Sequence, residues 1–213
     1  MLVALALAQK TPVPKPLPPA FDEANWVLSF SDQFEGGELD LAKWTPHDLA
    51  GRKAYSADAV QIAGGQLQIA ALPGIVTTYG KFAQKFGRIE VRYRLSGALG
   101  GHVSLRLLPI PSGRLPGIEA VYAGGNLTLE NHWGTEQTER TYGDAVPSPD
   151  FYAGFHTVTI EWERDHISWF IDNKEKMRSM DGVPQQPLYL TLDAEGNVQS
   201  VLNVEYVRVY RRK

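Results

Sequence analysis

From Trp26 onward, apolar and polar residues alternate in short runs broken by Gly, Pro, Asn and Asp. No stretch holds a 3.6-residue period beyond one turn over residues 39–44. A period of two sends successive side chains to opposite faces, so each run predicts a strand with one buried and one wet face. Residues 66–70 alternate through Leu67 and Ile69. Residues 88–95 place Ile89, Val91, Tyr93 and Leu95 on one face and Arg88, Glu90, Arg92 and Arg94 on the other. Residues 157–162 and 167–171 repeat the pattern around a polar loop, and residues 201–210 end the chain in another long strand. Many short strands at regular spacing predict an all-β sandwich or barrel.

Residues 115–133, LPGIEAVYAGGNLTLENHW, read as a hairpin around Gly124-Gly125. Adjacent glycines take the positive φ values of a two-residue loop, so Ala123 pairs with Asn126 and Glu119 falls opposite Glu130. Glu119 then shares a face with Gly117 and Val121, unless a bulge brings Tyr122 to that side.

The length of 213 residues suits one domain, and a net charge of −3 with both signs scattered gives no reason to expect nucleic acid. With no cysteine, disulfides, thiolate metal sites and thiol nucleophiles are excluded. Residues 1–8 are apolar and end in Ala6-Leu7-Ala8, like the tail of a secretory signal without its basic start, and are too short to span a membrane. They predict a secreted or periplasmic protein; an apolar N-terminus with no targeting role is the alternative. Residues 9–20 read as a Pro-rich extended linker, and residues 21–213 as the domain.

Four segments in order, WVLSFSDQFEGGELDLAKW (26–44), KFAQKFGRIEVRYRL (81–95), FHTVTIEWERDHISWFIDN (155–173) and VEYVRVY (204–210), resemble glycoside hydrolase family 16. The resemblance implies a two-sheet antiparallel β-sandwich, a concanavalin A-like jelly roll, with a cleft for β-linked glucans or galactans. It also implies retaining hydrolysis or transglycosylation by a strand reading Glu-Ile-Asp-Ile-Met-Glu or Glu-x-Asp-x-Glu. That chemistry needs two carboxyl groups about 5 to 5.5 Å apart, one ionised as nucleophile and one protonated as acid. Here the matching stretch is Gly117-Ile118-Glu119-Ala120-Val121-Tyr122. The nucleophile position holds Gly117, the central Asp becomes Glu119 and the acid/base position holds Tyr122. A frame with Glu119 as nucleophile puts Val121 at the centre and Ala123 or Gly124 as the acid, so neither frame supplies a second carboxylate.

The family's Trp-rich sugar platform is replaced by His102-Val103-Ser104-Leu105-Arg106. Glu119 and Glu130 remain as a relocated catalytic pair, or as two solvated carboxylates. His132, in a His132-Trp133-Gly134 run similar to one lining the family's cleft, can orient an acid, donate to a sugar hydroxyl, or be structural. Arg106 with His102 on its face suits anionic sugars, unless Arg106 pairs with Glu90 or Glu119. Tyr55, Tyr122 and Trp133 are aromatic candidates for sugar stacking, with core burial as the alternative. No cofactor is expected. The resemblance implies a calcium position at Asp32-Gln33-Phe34 and Glu205, weakened by an amide where a carboxylate is usual. Three readings follow: a polysaccharide- or oligosaccharide-recognising protein with degenerate catalytic residues, a hydrolase working through Glu119 and Glu130, or an interaction domain that binds no sugar.

Overall fold

The computed structural model describes residues 23–46, 56–111, 113–196 and 199–213. Tyr55, the signal-like run and the Pro-rich linker lie outside them. The described residues form β1 (Trp26–Asp32), β2 (Val60–Ala63), β3 (Gln66–Ala70), β4 (Gly74–Thr77), β5 (Gly87–Gly97), β6 (Gly101–Pro109) and β7 (Gly117–Ala123). There follow β8 (Asn126–Trp133), β9 (Arg140–Val146), β10 (His156–Trp162), β11 (Ile167–Ile171), β12 (Lys174–Ser179), β13 (Leu188–Gly196) and β14 (Ser200–Arg212). Two single-turn 3₁₀ segments, Glu23–Asn25 and Ala57–Ala59, complete the described elements, and none is an α-helix.

The strands make two antiparallel sheets. An eight-stranded sheet runs β12-β11-β10-β5-β14-β3-β2 with β1 also on β14, and a six-stranded sheet runs β4-β13-β6-β7-β8-β9. This is the expected two-sheet jelly-roll sandwich. Its core lies between the sheets, filled by the inward half of each alternating run: Ile89, Val91, Tyr93 and Leu95 of β5 against residues such as Leu105, Ile118, Leu129 and Leu190. Trp44, Trp162, Trp169 and Phe151 are its largest fully buried side chains.

The hairpin has the expected register. Gly124 and Gly125 take φ of 58° and 87°, Ala123 pairs with Asn126, and Glu119 with Glu130. The ladder holds one register from Gly117↔His132 to Ala123↔Asn126, so no bulge turns Tyr122 outward. Ile118, Ala120 and Tyr122 face the core; Gly117, Glu119 and Val121 face away from it.

Candidate functional site

The outer face of the six-stranded sheet collects most of the polar residues that the sequence points to. The register lines up Thr191, Arg106, Glu119, Glu130 and Gly143 in one row, and Asp193, Ser104, Val121 and Thr128 in the next. Arg106 sits between two carboxylates: its Nε donates to Glu119 Oε2 at 3.2 Å and its Nη1 to Asp193 Oδ1 at 2.9 Å. The side chains of Glu119 and Asp193 are only 9% and 1% exposed. Burial works against the guanidinium charge, yet Asp193 and Glu119 outweigh it and hold the Arg106 pKa above its ordinary value. Of the two readings of Arg106, the structure gives the ion pair, with Glu119 rather than Glu90 and with Asp193 in addition.

His132 is the second hub. Its Nδ1 lies 3.1 Å from Glu139 Oε1 and 3.0 Å from Thr141 Oγ1, and Arg114 Nη2 meets Glu139 Oε1 at 3.1 Å. Its Nε2 lies 3.3 Å from Glu130 Oε2 and 3.8 Å from Glu119 Oε1. Neither approach is a hydrogen bond, and among the described residues this buried nitrogen has no hydrogen-bond partner. Ser104 Oγ, buried on the same face, also has none. Such groups are costly to leave unmatched. Glu130 is more open, with 31% of its side chain exposed, and its Cγ occupies the space that a Cβ on Gly143 would take, at 2.4 Å.

Two aromatic candidates turn away from this face. Tyr122 packs in the core edge-on to Phe151, with centroids 5.4 Å apart. Burial there, with Tyr152 and Asp150 nearby, pushes its hydroxyl pKa up, which suits neither sugar stacking nor acid/base work. Trp133 alternates with His132 and so lies on the opposite face of β8, where a Cβ on Gly182 would fall 2.0 Å from its indole. Neighbouring Asn131 is fully buried, and its Nδ2 donates to Asp181 O at 2.7 Å. Both rings are therefore corrections to the stacking set, and the reason is strand parity. His102 does lie on the outer face, four residues before Arg106 and opposite Glu195.

The Gly117 position is closed rather than merely empty. A Cβ there would meet the Arg114 carbonyl oxygen at 2.6 Å, well inside contact distance. Residues Gly113, Arg114 and Leu115, with Gly134, Thr135 and Glu139, line an open groove of about 510 Å³ beyond the ends of β7 and β8. Of the residues at the calcium position implied by the resemblance, Asp32 accepts from Phe34 N and Trp44 Nε1, both at 2.9 Å, and Glu205 accepts from Arg92 Nε at 2.6 Å.

Sequence reasoning missed Asp193, Ser104, Glu139 and the Tyr79–Tyr189 pair, whose rings meet edge-on at 5.0 Å. The alternation of β13 was a usable signal, since Leu188, Leu190 and Leu192 face the core and leave Tyr189, Thr191 and Asp193 on the other face. That β13 lies beside β6 is a long-range pairing no local pattern reveals.

Residues 55–193 match the sequence profile of "Glycosyl hydrolases family 16". The chain belongs to glycosyl hydrolase family 16. Among relatives of this family-16 chain, it is 23% identical to a glucan endo-1,3-beta-glucosidase A1 of Niallia circulans, over 93% of the chain and 39% of that protein. It is 30% identical to beta-1,3-glucan-binding protein 1 of Galleria mellonella, over 56% of the chain and 28% of that protein. The family-16 chain thus spans well under half the length of these two relatives. Its fold is that of the laminarinase from Rhodothermus marinus, with a TM-score of 0.74 at 24% identity over 88% of this chain and 98% of that one.

Proposed function

We propose that this family-16 domain is an exported protein that recognises a polysaccharide without cleaving it. The observation that carries the reading is β7 itself. Its outer face presents Gly117, Glu119 and Val121 in unbroken register, and the Arg114 carbonyl already occupies the space a side chain at Gly117 needs. A retaining mechanism needs a free nucleophile and a nearby acid. Here the one carboxylate on the outer face of β7, Glu119, is held by Arg106. The closed Gly117 position supports the reading of a site turned to another use. The name of the Galleria mellonella relative, a glucan-binding protein, fits the same class of function. Because Arg106 is already matched by Asp193 and Glu119, an uncharged glycan suits this face better than a sulfated or uronate one.

A second reading rests on a separate observation: Glu119 and Glu130 both lie near His132 Nε2, at 3.8 and 3.3 Å. Two carboxylates around one imidazole are the raw material of a relocated acid/base pair. One experiment separates the readings. Reducing-end release and thermal shift are measured side by side with laminarin, lichenan, agarose and carrageenan, for the wild type, Glu119→Gln and Glu130→Gln. Recognition alone predicts no reducing ends and a rise in Tm with a neutral glycan, because a ligand of the folded state stabilises it. Release that disappears in either variant overturns this reading in favour of hydrolysis; neither release nor a shift with any polymer overturns both.

A further inference from the structure

Among the described residues, β9 is an exposed strand edge of the six-stranded sheet. At the far end of the six-stranded sheet, the β4 edge is bridged by Thr45 to Thr77. At one end of the eight-stranded sheet, β12 carries Lys174, Lys176 and Arg178, the charges that commonly keep an edge from pairing. β2, at the other end, is only four residues long. β9 carries only Arg140 and Asp144, two charges of opposite sign, and is neither as short as β2 nor bridged like β4. It pairs with β8 on one side, runs seven residues without Pro or Lys, and its first six residues are exposed, including Tyr142 at 43%.

We propose that β9 is a homodimerisation edge that pairs antiparallel with β9 of a second copy about Tyr142. The sequence of the strand, RTYGDAV, is self-complementary in that register. Centring a two-fold axis on Tyr142 sets Arg140 opposite Asp144 of the other copy, twice over, and Tyr142 opposite its own counterpart. Such isologous matching is the hallmark of a two-fold interface. Among the described residues, Arg140 and Asp144 form no ion pair, and Asp144 Oδ1 accepts only from its neighbour's amide, Ala145 N, at 2.7 Å. That bond marks Ala145, and by alternation Gly143 and Thr141, as residues whose amides face away from β8. In the proposed register Thr141 and Gly143 lie opposite each other, so outward-facing backbone groups meet their like across the junction. Arg140, Tyr142 and Asp144 then fall in the closer, non-hydrogen-bonded pairs, where cross-strand side chains interact most strongly.

The pairing extends the six-stranded sheet across both copies with their outer faces on one side. Glu130 and His132, one strand in from the junction, would be repeated across it, giving a long glycan two neighbouring sites and the gain in avidity that follows. A single strand edge is a small interface, so the dimer is expected to be reversible and dependent on protein concentration.

The test is sedimentation of the full chain across the micromolar range without saccharide, for wild type, Arg140→Asp, Asp144→Arg and the double swap R140D/D144R, with thermal melts as the control for folding. The wild type is expected to dimerise, each single reversal to raise the dimer Kd by about tenfold or more by setting like charges opposite each other, and the swap to restore it. A wild type that stays monomeric at every concentration overturns the proposal. So does a dimer indifferent to the single reversals, which places the interface elsewhere, and so does a double swap that fails to rescue.

Discussion

The indole N–H of Trp169, on β11 of the eight-stranded sheet, donates across the core to the carbonyl oxygen of Glu119, on β7, at 3.0 Å. The ring is fully buried, so this bond ties the strand beneath the candidate site to the opposite sheet. Trp169→Phe removes this cross-sheet donor and opens space beside the carbonyl. The expected cost is about 2 to 4 kcal/mol of folding stability, read by urea unfolding. Trp162→Phe is the matched control, because the Trp162 indole donates to Pro184 O at 3.1 Å, away from β7. Glycan affinity should fall in the Trp169 variant and hold in the control; equal losses would mean that Trp169 serves stability alone.

Gly117 and the Arg114 carbonyl lead to the next prediction. Rebuilding a carboxylate by Gly117→Glu should not restore hydrolysis, because the first atom of the new side chain meets backbone at 2.6 Å. The strain is expected to cost about 1 to 3 kcal/mol, in the range of other overpacked sites. Gly117→Ala should show most of that cost, since the Cβ alone makes the clash. A Gly117→Glu protein with wild-type stability and new reducing-end release would contradict the closed-site argument.

Arg106 holds two nearly buried carboxylates, Glu119 and Asp193. Arg106→Met keeps most of the volume and removes the charge, leaving both acids without their shared cation. The expected loss is about 3 kcal/mol by urea unfolding, the scale for breaking a buried pair from one side. Arg106→Lys should lose less, although one ammonium cannot span both acids as the planar guanidinium does. A Met variant as stable as wild type would show that the pairs are screened by solvent after all.

Several tyrosines predict the alkaline limit of stability. Burial, followed by the nearby Glu90 charge, pushes the Tyr210 hydroxyl up to about 12, and burial also raises Tyr93 and Tyr206. Their folded pKa values lie above the unfolded one, so the unfolded chain releases these protons first as pH rises. Stability from this source is fully present below about pH 10, where unfolded tyrosine begins to ionise, and is lost as pH climbs through the folded values. Thermal melts between pH 8 and pH 12 should fall most steeply above about pH 10. Tyr210→Phe should flatten that fall, and ultraviolet titration should show these rings ionising together with unfolding.

Much of the fold was legible because its signals are local. Strands β3, β8 and β11 begin and end where the alternation and turn residues predict, β7 starts two residues inside its expected run, and the Gly124-Gly125 turn carried the register as far as Glu119 opposite Glu130. The same parity argument, with the bulge left open, could not by itself decide where Tyr122 points. The continuous ladder does so, sending its ring against Phe151.

By itself, then, the sequence determined the class of fold, the family resemblance and which residues share a face within each strand and hairpin, because periodicity and turn chemistry act over a few neighbouring residues. Only the tertiary structure decided that Asp193 on β13 reaches Arg106 on β6, that Glu139 reaches back to His132, and that the Arg114 carbonyl closes Gly117. The physical reason is the same in each case. Which strand lies beside which, and where a loop folds back, is set by burying one whole face of each sheet against the other, and no short stretch of the chain carries that information.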